Sequence, residues 1–135
     1  RILGIDYGSK RMGYALSDPS AFLASSLTVK EYQSQKEVLR FTVELCREHE
    51  VTDIVIGWPR NMDGSLGPSA EAVDAFLEAL SKRIDLPAHK WDERLSTKAA
   101  ENVLIEAGTR RNKRKQVVDK MAAQIILQGF LDARG

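Results

Sequence analysis

Apolar and polar positions alternate with one period in the first quarter of the chain and with another after it. Residues 2–7 (Ile2-Leu3-Gly4-Ile5-Asp6-Tyr7) form a short, nearly all-apolar run, as expected of a central strand covered on both faces. Tyr7-Gly8-Ser9-Lys10 is turn-rich, and Met12–Ser17 reads as a second strand, most simply the hairpin partner of the first. Asp18-Pro19-Ser20 supplies another turn before a third strand over Ala21–Val29. Short turns between consecutive strands make all three antiparallel. The period then becomes helical. Val38, Phe41 and Leu45, with Thr42 and Cys46, place an amphipathic helix over about Ser34–Glu50.

Strands and helices alternate from there. Asp53–Trp58 is a buried-type strand, and Pro59–Pro68 is a loop rich in glycine and proline. Val73, Phe76, Leu77, Leu80 and Ile84 mark a second helix, and Pro87–Asp92 a weaker fifth strand. Val103, Leu104 and Ala107 belong to a third helix ending near Gly108. Residues 109–116 are polar and basic, and Gln116–Ala133 is the last helix. The order β-β-β-α-β-α-β-α-α predicts an α/β fold: a mixed five-stranded sheet, three strands antiparallel and then two parallel, with helices on both faces. At 135 residues, without a linker or repeat, one domain over 1–135 is expected.

Composition narrows the partners. The chain is 43% hydrophobic and 29% charged, with a formal net charge of only +1, so any nucleic-acid footprint has to be local. A single cysteine, Cys46, excludes an internal disulfide and a Cys-rich zinc site, and its place beside Leu45 reads as core rather than as a reactive thiol. No apolar run approaches the ~20 residues of a membrane span, and no signal peptide precedes the first strand, so a cytoplasmic protein is expected.

Three carboxylates stand where a site would want them. Asp6 ends the first strand, Glu93 follows the fifth, and Asp119 heads an apolar helix face that continues through Ala122, Ala123, Ile126 and Phe130. Each also has a structural reading: Asp6 as a cap of the Gly8 turn, Glu93 as a solvated strand-end charge, Asp119 as a first-turn acid on the helix dipole. Should they converge, a divalent cation would relieve their repulsion, which points to Mg²⁺ or Mn²⁺. Their oxygens are then expected within about 4–8 Å of one another.

Arg110, Arg111, Lys113, Arg114 and Lys115 put five positive charges in six residues, read either as a solvated loop or as a phosphate-binding segment leading into the helix of Asp119. The Gly57–Gly64 loop, with Asn61, leaves a central strand, where ligands commonly bind. Trp58 fits the core better than base stacking, and His49 and His89 read as ordinary polar positions.

Asp6-x-Gly8-x4-Gly13, Gly57-x-Pro59-x-Asn61-Met62-Asp63-Gly64, Asp92-Glu93-Arg94-x-Ser96-Thr97 and Val118-Asp119-x2-Ala122-Ala123 occur in the order found in the YqgF/RuvX family, which this chain resembles over nearly its whole length. The first motif is shared with sugar kinases and actin-like ATPases; the four together are specific. The resemblance implies a ribonuclease-H-like fold and a metal-dependent nuclease. Asp6, Glu93 and Asp119 fall on the family's catalytic, metal-binding carboxylates. It also implies action in 5′-end maturation of pre-16S ribosomal RNA or, alternatively, on Holliday junctions as a homodimer. Trp58 departs from the aliphatic residue often found in the Gly-x-Pro motif, which makes the contacts of that loop less transferable.

The expected mechanism is hydrolysis with one or two Mg²⁺ or Mn²⁺ ions, and with Arg94 and the basic run on backbone phosphates. A non-catalytic ribosomal-RNA-binding factor is the alternative of a different class. An actin-like ATPase is rejected by length, because that fold needs two such domains.

Overall fold

In the computed structural model, the backbone is described for residues 1–58, 68–92 and 111–134. Five strands form one sheet in the order β3-β2-β1-β4-β5. These are β1 (Ile2–Asp6), β2 (Arg11–Ser17), β3 (Ala24–Glu31), β4 (Asp53–Trp58) and β5 (Ala88–Asp92). The helices are α1 (Gln35–Glu48), α2 (Pro68–Ser81) and α3 (Arg111–Arg134). β1 pairs antiparallel with β2 and parallel with β4, β2 with β3 antiparallel, and β4 with β5 parallel. The mixed sheet is the one the sequence predicts. The third predicted helix, about Val103 to Gly108, and the Pro59–Gly67 part of the predicted loop lie outside the described residues.

Alternation along β1 sorts its side chains onto two cores. Leu3 and Ile5 point to one face, where Val38, Leu39 and Val43 of α1 and Val73, Phe76 and Leu80 of α2 cover them. Ile2 points to the other, beneath Ile126, Leu127 and Leu131 of α3. The two-sided burial of β1 explains its unbroken apolar run. Cys46 is buried in the first core, and burial pushes its thiol up to about 11, as befits a packing residue.

Helix α1 begins where its caps dictate. Ser34 Oγ accepts from the Glu37 N–H at 3.2 Å, and Glu37 reaches back to the Gln33 N–H at 3.0 Å. Two elements start three residues or more away from the sequence expectation. β3 starts at Ala24 rather than Ala21, because the Asp18 carboxylate accepts from the Phe22 and Leu23 N–H groups at 2.8 and 3.0 Å and holds the chain in a loop. The Ser20 hydroxyl and those two N–H groups also hold the Asp18 carboxyl below its ordinary value, and Ala21 sits at φ 59°. Helix α3 starts at Arg111 rather than Gln116, so most of the basic run is helical rather than loop. Arg and Lys are good helix formers, but they give no apolar period to read.

Candidate active site at the end of the central strand

The site is built around the C-terminal end of β1. Asp6 shares a face with Ile2 and Gly4, the face covered by α3. Its register partner on β2 is Gly13, and a methyl built at Gly13 would lie 3.6 Å from the Asp6 Cβ and 3.7 Å from the Ala123 Cβ. Gly13 thus stands between the carboxylate and the helix without filling the space.

Helix α3 reaches this point because Gly4 lets it lie close. A Cβ at Gly4 would stand 2.7 Å from the Leu127 Cβ and 3.1 Å from the Ala123 carbonyl oxygen. The helix runs antiparallel to β1: Ala123 lies near Gly13, Leu127 over Gly4, and Leu131 joins the core with Ile2. Gln124 and Gln128 fix the register from the side. Gln124 Nε2 donates to the Ala24 carbonyl at 3.1 Å, and the Ala24 N–H donates to Gln128 Oε1 at 2.9 Å. Position 119 precedes Ala123 by one turn, roughly 6 Å along the axis, at the Asp6 end of the sheet.

The parallel strands finish at the same end. Ile5 is level with Ile56, and Ile56 with Lys90, so β5 ends at Asp92, the residue before Glu93, on the Asp6 side of the sheet. Lys90 crosses towards α2 and β4: its Nζ lies 2.6 Å from Asp74 Oδ1 and 4.7 Å from the Trp58 ring centroid. Trp58 packs against the first core, in line with its structural reading. His89 pairs with Asp53 at 3.2 Å and lies against Phe130.

A cleft of about 850 Å³ opens beside Asp6. It is lined by Gly8, Ser9, Lys10 and Arg11 on one side and by Val29, Lys30 and Glu31 on the other. The turn that forms its rim is clamped by Tyr32, whose hydroxyl donates to the Gly8 carbonyl and whose N–H donates to the Lys10 carbonyl at 3.1 Å. Burial, with Tyr7 adding to it, raises the Tyr32 hydroxyl to about 12, so it remains a proton donor at neutral pH.

Of the residues expected at the site, only Asp6 is described with its side chain. Glu93, Arg94, Asn61 and Arg110 lie outside the described residues. Asp119, Arg111, Lys113, Arg114 and Lys115 are described by their backbone in α3. Among the described residues no group of three or more His, Cys, Asp or Glu side chains is gathered to hold a metal. Asp6, a hard oxygen donor at the edge of an open polar cleft, suits Mg²⁺ or Mn²⁺ and not a soft metal. The cleft and the Tyr32 clamp were not foreseen; the adjacent Lys10-Arg11 pair after Asp6-x-Gly8 was the available signal.

This sheet order, with its helices on both faces, is that of the ribonuclease-H-like class. The chain superposes on Thermus thermophilus RuvC, solved with a Holliday junction substrate, with a TM-score of 0.61 at 15% identity, covering 98% of this chain and 94% of that one. It superposes on the fowlpox virus Holliday junction resolvase with a TM-score of 0.54 at 10% identity, covering 98% of both chains. At such identities the likeness speaks for the fold. The sequence profile of RuvX, described as Holliday junction resolvase, matches residues 1–133, and the chain belongs to that family. It is 49% identical over 132 residues to a protein of Halothermothrix orenii named "Putative pre-16S rRNA nuclease", covering 98% of this chain and 94% of the relative. It is also 49% identical over 135 residues to a protein of the same name from Moorella thermoacetica, covering 100% and 96%.

Proposed function

We propose that this chain is a metal-dependent nuclease that hydrolyses phosphodiester bonds in the 5′-end processing of pre-16S ribosomal RNA, in the cytoplasm. The observation that carries the site is the meeting of β1 and α3: Asp6 ends the central strand on the face where Ala123, one turn after position 119, packs by Gly13. The family and the names of its members supply the reaction class.

In this reading Asp6, Glu93 and Asp119 hold one or two Mg²⁺ or Mn²⁺ ions. When bound, the ions would supply charge neutralisation at the scissile phosphate and activation of water. The chain's own part is to fix the carboxylates on rigid elements and to bring the phosphate to them. Strand β1 is anchored on both faces, and α3 is seated on Gly4, so Asp6 and position 119 move little relative to each other. Arg94, Arg110, Arg111, Lys113, Arg114 and Lys115, with Asn61 of the Gly57–Gly64 loop, bind the backbone, which orients a nucleic acid without reading its sequence.

The description of the family model favours a second reading, resolution of Holliday junctions. Paired nicks in a four-way junction require two sites related by a homodimer. A cleavage panel in Mg²⁺ or Mn²⁺ separates the two: single-stranded RNA, a pre-16S 5′ fragment and a four-way junction. Cleavage of the rRNA fragment, lost on adding EDTA, is expected. Cleavage of the junction alone would transfer the assignment to the resolvase, and cleavage of none would leave a non-catalytic RNA-binding factor.

A further inference from the structure

Asp6 stands at one wall of the 850 Å³ cleft, and a basic turn lines it as well. Lys10 and Arg11 are exposed there, and among the described residues neither forms an ion pair. Glu31 is the register partner of Arg11, yet the two do not close a salt bridge. Lys30 lines the cleft, but its ammonium lies over the Phe41 ring, 5.4 Å from the centroid, on the α1 side of the sheet. Among the described residues, the positive charge available to a ligand in the cleft is therefore that of Lys10 and Arg11.

These two cations are carried on a fixed turn. Tyr32 grips it from both sides, through the Gly8 and Lys10 carbonyls, and a Cβ at Gly8 would collide with the Arg11 carbonyl oxygen, so the turn holds one tight form. Cations presented from an ordered backbone lose less conformational freedom on binding a phosphate than cations on a loose loop.

We infer that Lys10 and Arg11 each hold one of the backbone phosphates next to the one presented to Asp6, and that the substrate strand crosses the β1–β2 turn towards the β3 edge. The inference rests on the nuclease reading above and adds a substrate path that the basic run does not supply. The ligand is a phosphodiester backbone, single-stranded or duplex, because two cations on a turn contact charge and not base edges.

The test is equilibrium binding of a labelled pre-16S 5′ fragment and of a four-way junction, with EDTA present to prevent hydrolysis, as a function of salt. Lys10→Ala/Arg11→Ala is compared with wild type and with Lys36→Ala/Arg40→Ala, which removes the same charge from exposed positions on α1. Each lost phosphate contact lowers the log–log salt slope by about 0.7 for a single strand or 0.9 for B-form duplex, so the cleft variant is expected to lose roughly 1.4–1.8 and to bind about tenfold more weakly at low salt. The α1 variant should keep the wild-type slope, and Lys10→Arg/Arg11→Lys should recover it. Should the alanine pair fold poorly, Arg11→Gln keeps the aliphatic stem and should lose about half as much slope.

A cleft variant with the wild-type slope overturns the inference while leaving the nuclease reading intact, and so does an equal loss in the α1 variant. Wild type that binds neither probe at low salt overturns the inference, while the cleavage panel above decides the nuclease reading separately.

Discussion

Tyr14 donates its hydroxyl proton to Thr42. The two oxygens are 2.6 Å apart in the core between β2 and α1, and the single proton of Thr42 is already committed to the Val38 carbonyl at 2.7 Å. Burial raises the Tyr14 hydroxyl well above its usual range, so it stays a donor. The bond ties the central hairpin to the helix behind it, and its direction makes the pair unequal. Tyr14→Phe leaves Thr42 bonded to Val38 and should cost about 0.5–1.5 kcal/mol. Thr42→Val strands a buried O–H and should cost more, about 1–3 kcal/mol, with the double variant close to Thr42→Val or better. Urea titrations of the three proteins measure this order, and a Tyr14→Phe loss larger than that of Thr42→Val would reverse the donor.

Gly4→Ala tests the seating of α3. With the Leu127 Cβ only 2.7 Å from the new methyl, the helix must lift. Overpacking of this kind costs about 1–3 kcal/mol. Activity should fall by more than the folded fraction does, because the helix bearing position 119 shifts relative to Asp6. Wild-type stability and activity together in this variant would show that the close approach is unnecessary.

Asp6→Asn should abolish most cleavage while the fold survives, since the position is only partly buried at the rim of a cleft. In the proposed site, where Glu93 and Asp119 stand beside it, removing one negative charge should leave the metal-free protein at least as stable as wild type. Thermal melts and a Mg²⁺ or Mn²⁺ cleavage assay report the two properties separately. Near-wild-type cleavage would remove Asp6 from the site.

Neutralising Arg110 and Arg111 should weaken binding similarly across sequences and flatten its salt dependence by about 0.7–0.9 per contact. Metal binding should survive, because neither side chain offers an oxygen ligand. A slope equal to wild type would reduce the run to a solvated segment.

The apolar strands and α1 were legible because burial leaves a period: both faces of β1 are covered, and one stripe of α1 is. The ends of elements were harder where side chains decide them. Asp18 delays β3 by bonding Phe22 and Leu23, an arrangement that no periodicity announces. The first turns of α3 were hidden because a run of Arg and Lys carries helix propensity without an apolar stripe. At the site, Asp6 was legible as a charge ending an apolar strand. The rim opposite was not, since Tyr32 acts through main-chain carbonyls that have no sequence signature.

Seating α3 on Gly4 gives the enzyme a mechanical property. The helix is one rod over Arg111–Arg134, bedded at Leu127 and Leu131. Position 119 lies between that bedding and the first turn of the helix. Load placed on its first turns is taken up by the bedding around Gly4 and Leu127, so the backbone at position 119 keeps its place beside the end of β1. Stiffness at the end of the central strand is thus supplied from within the sheet, by a residue that has no side chain.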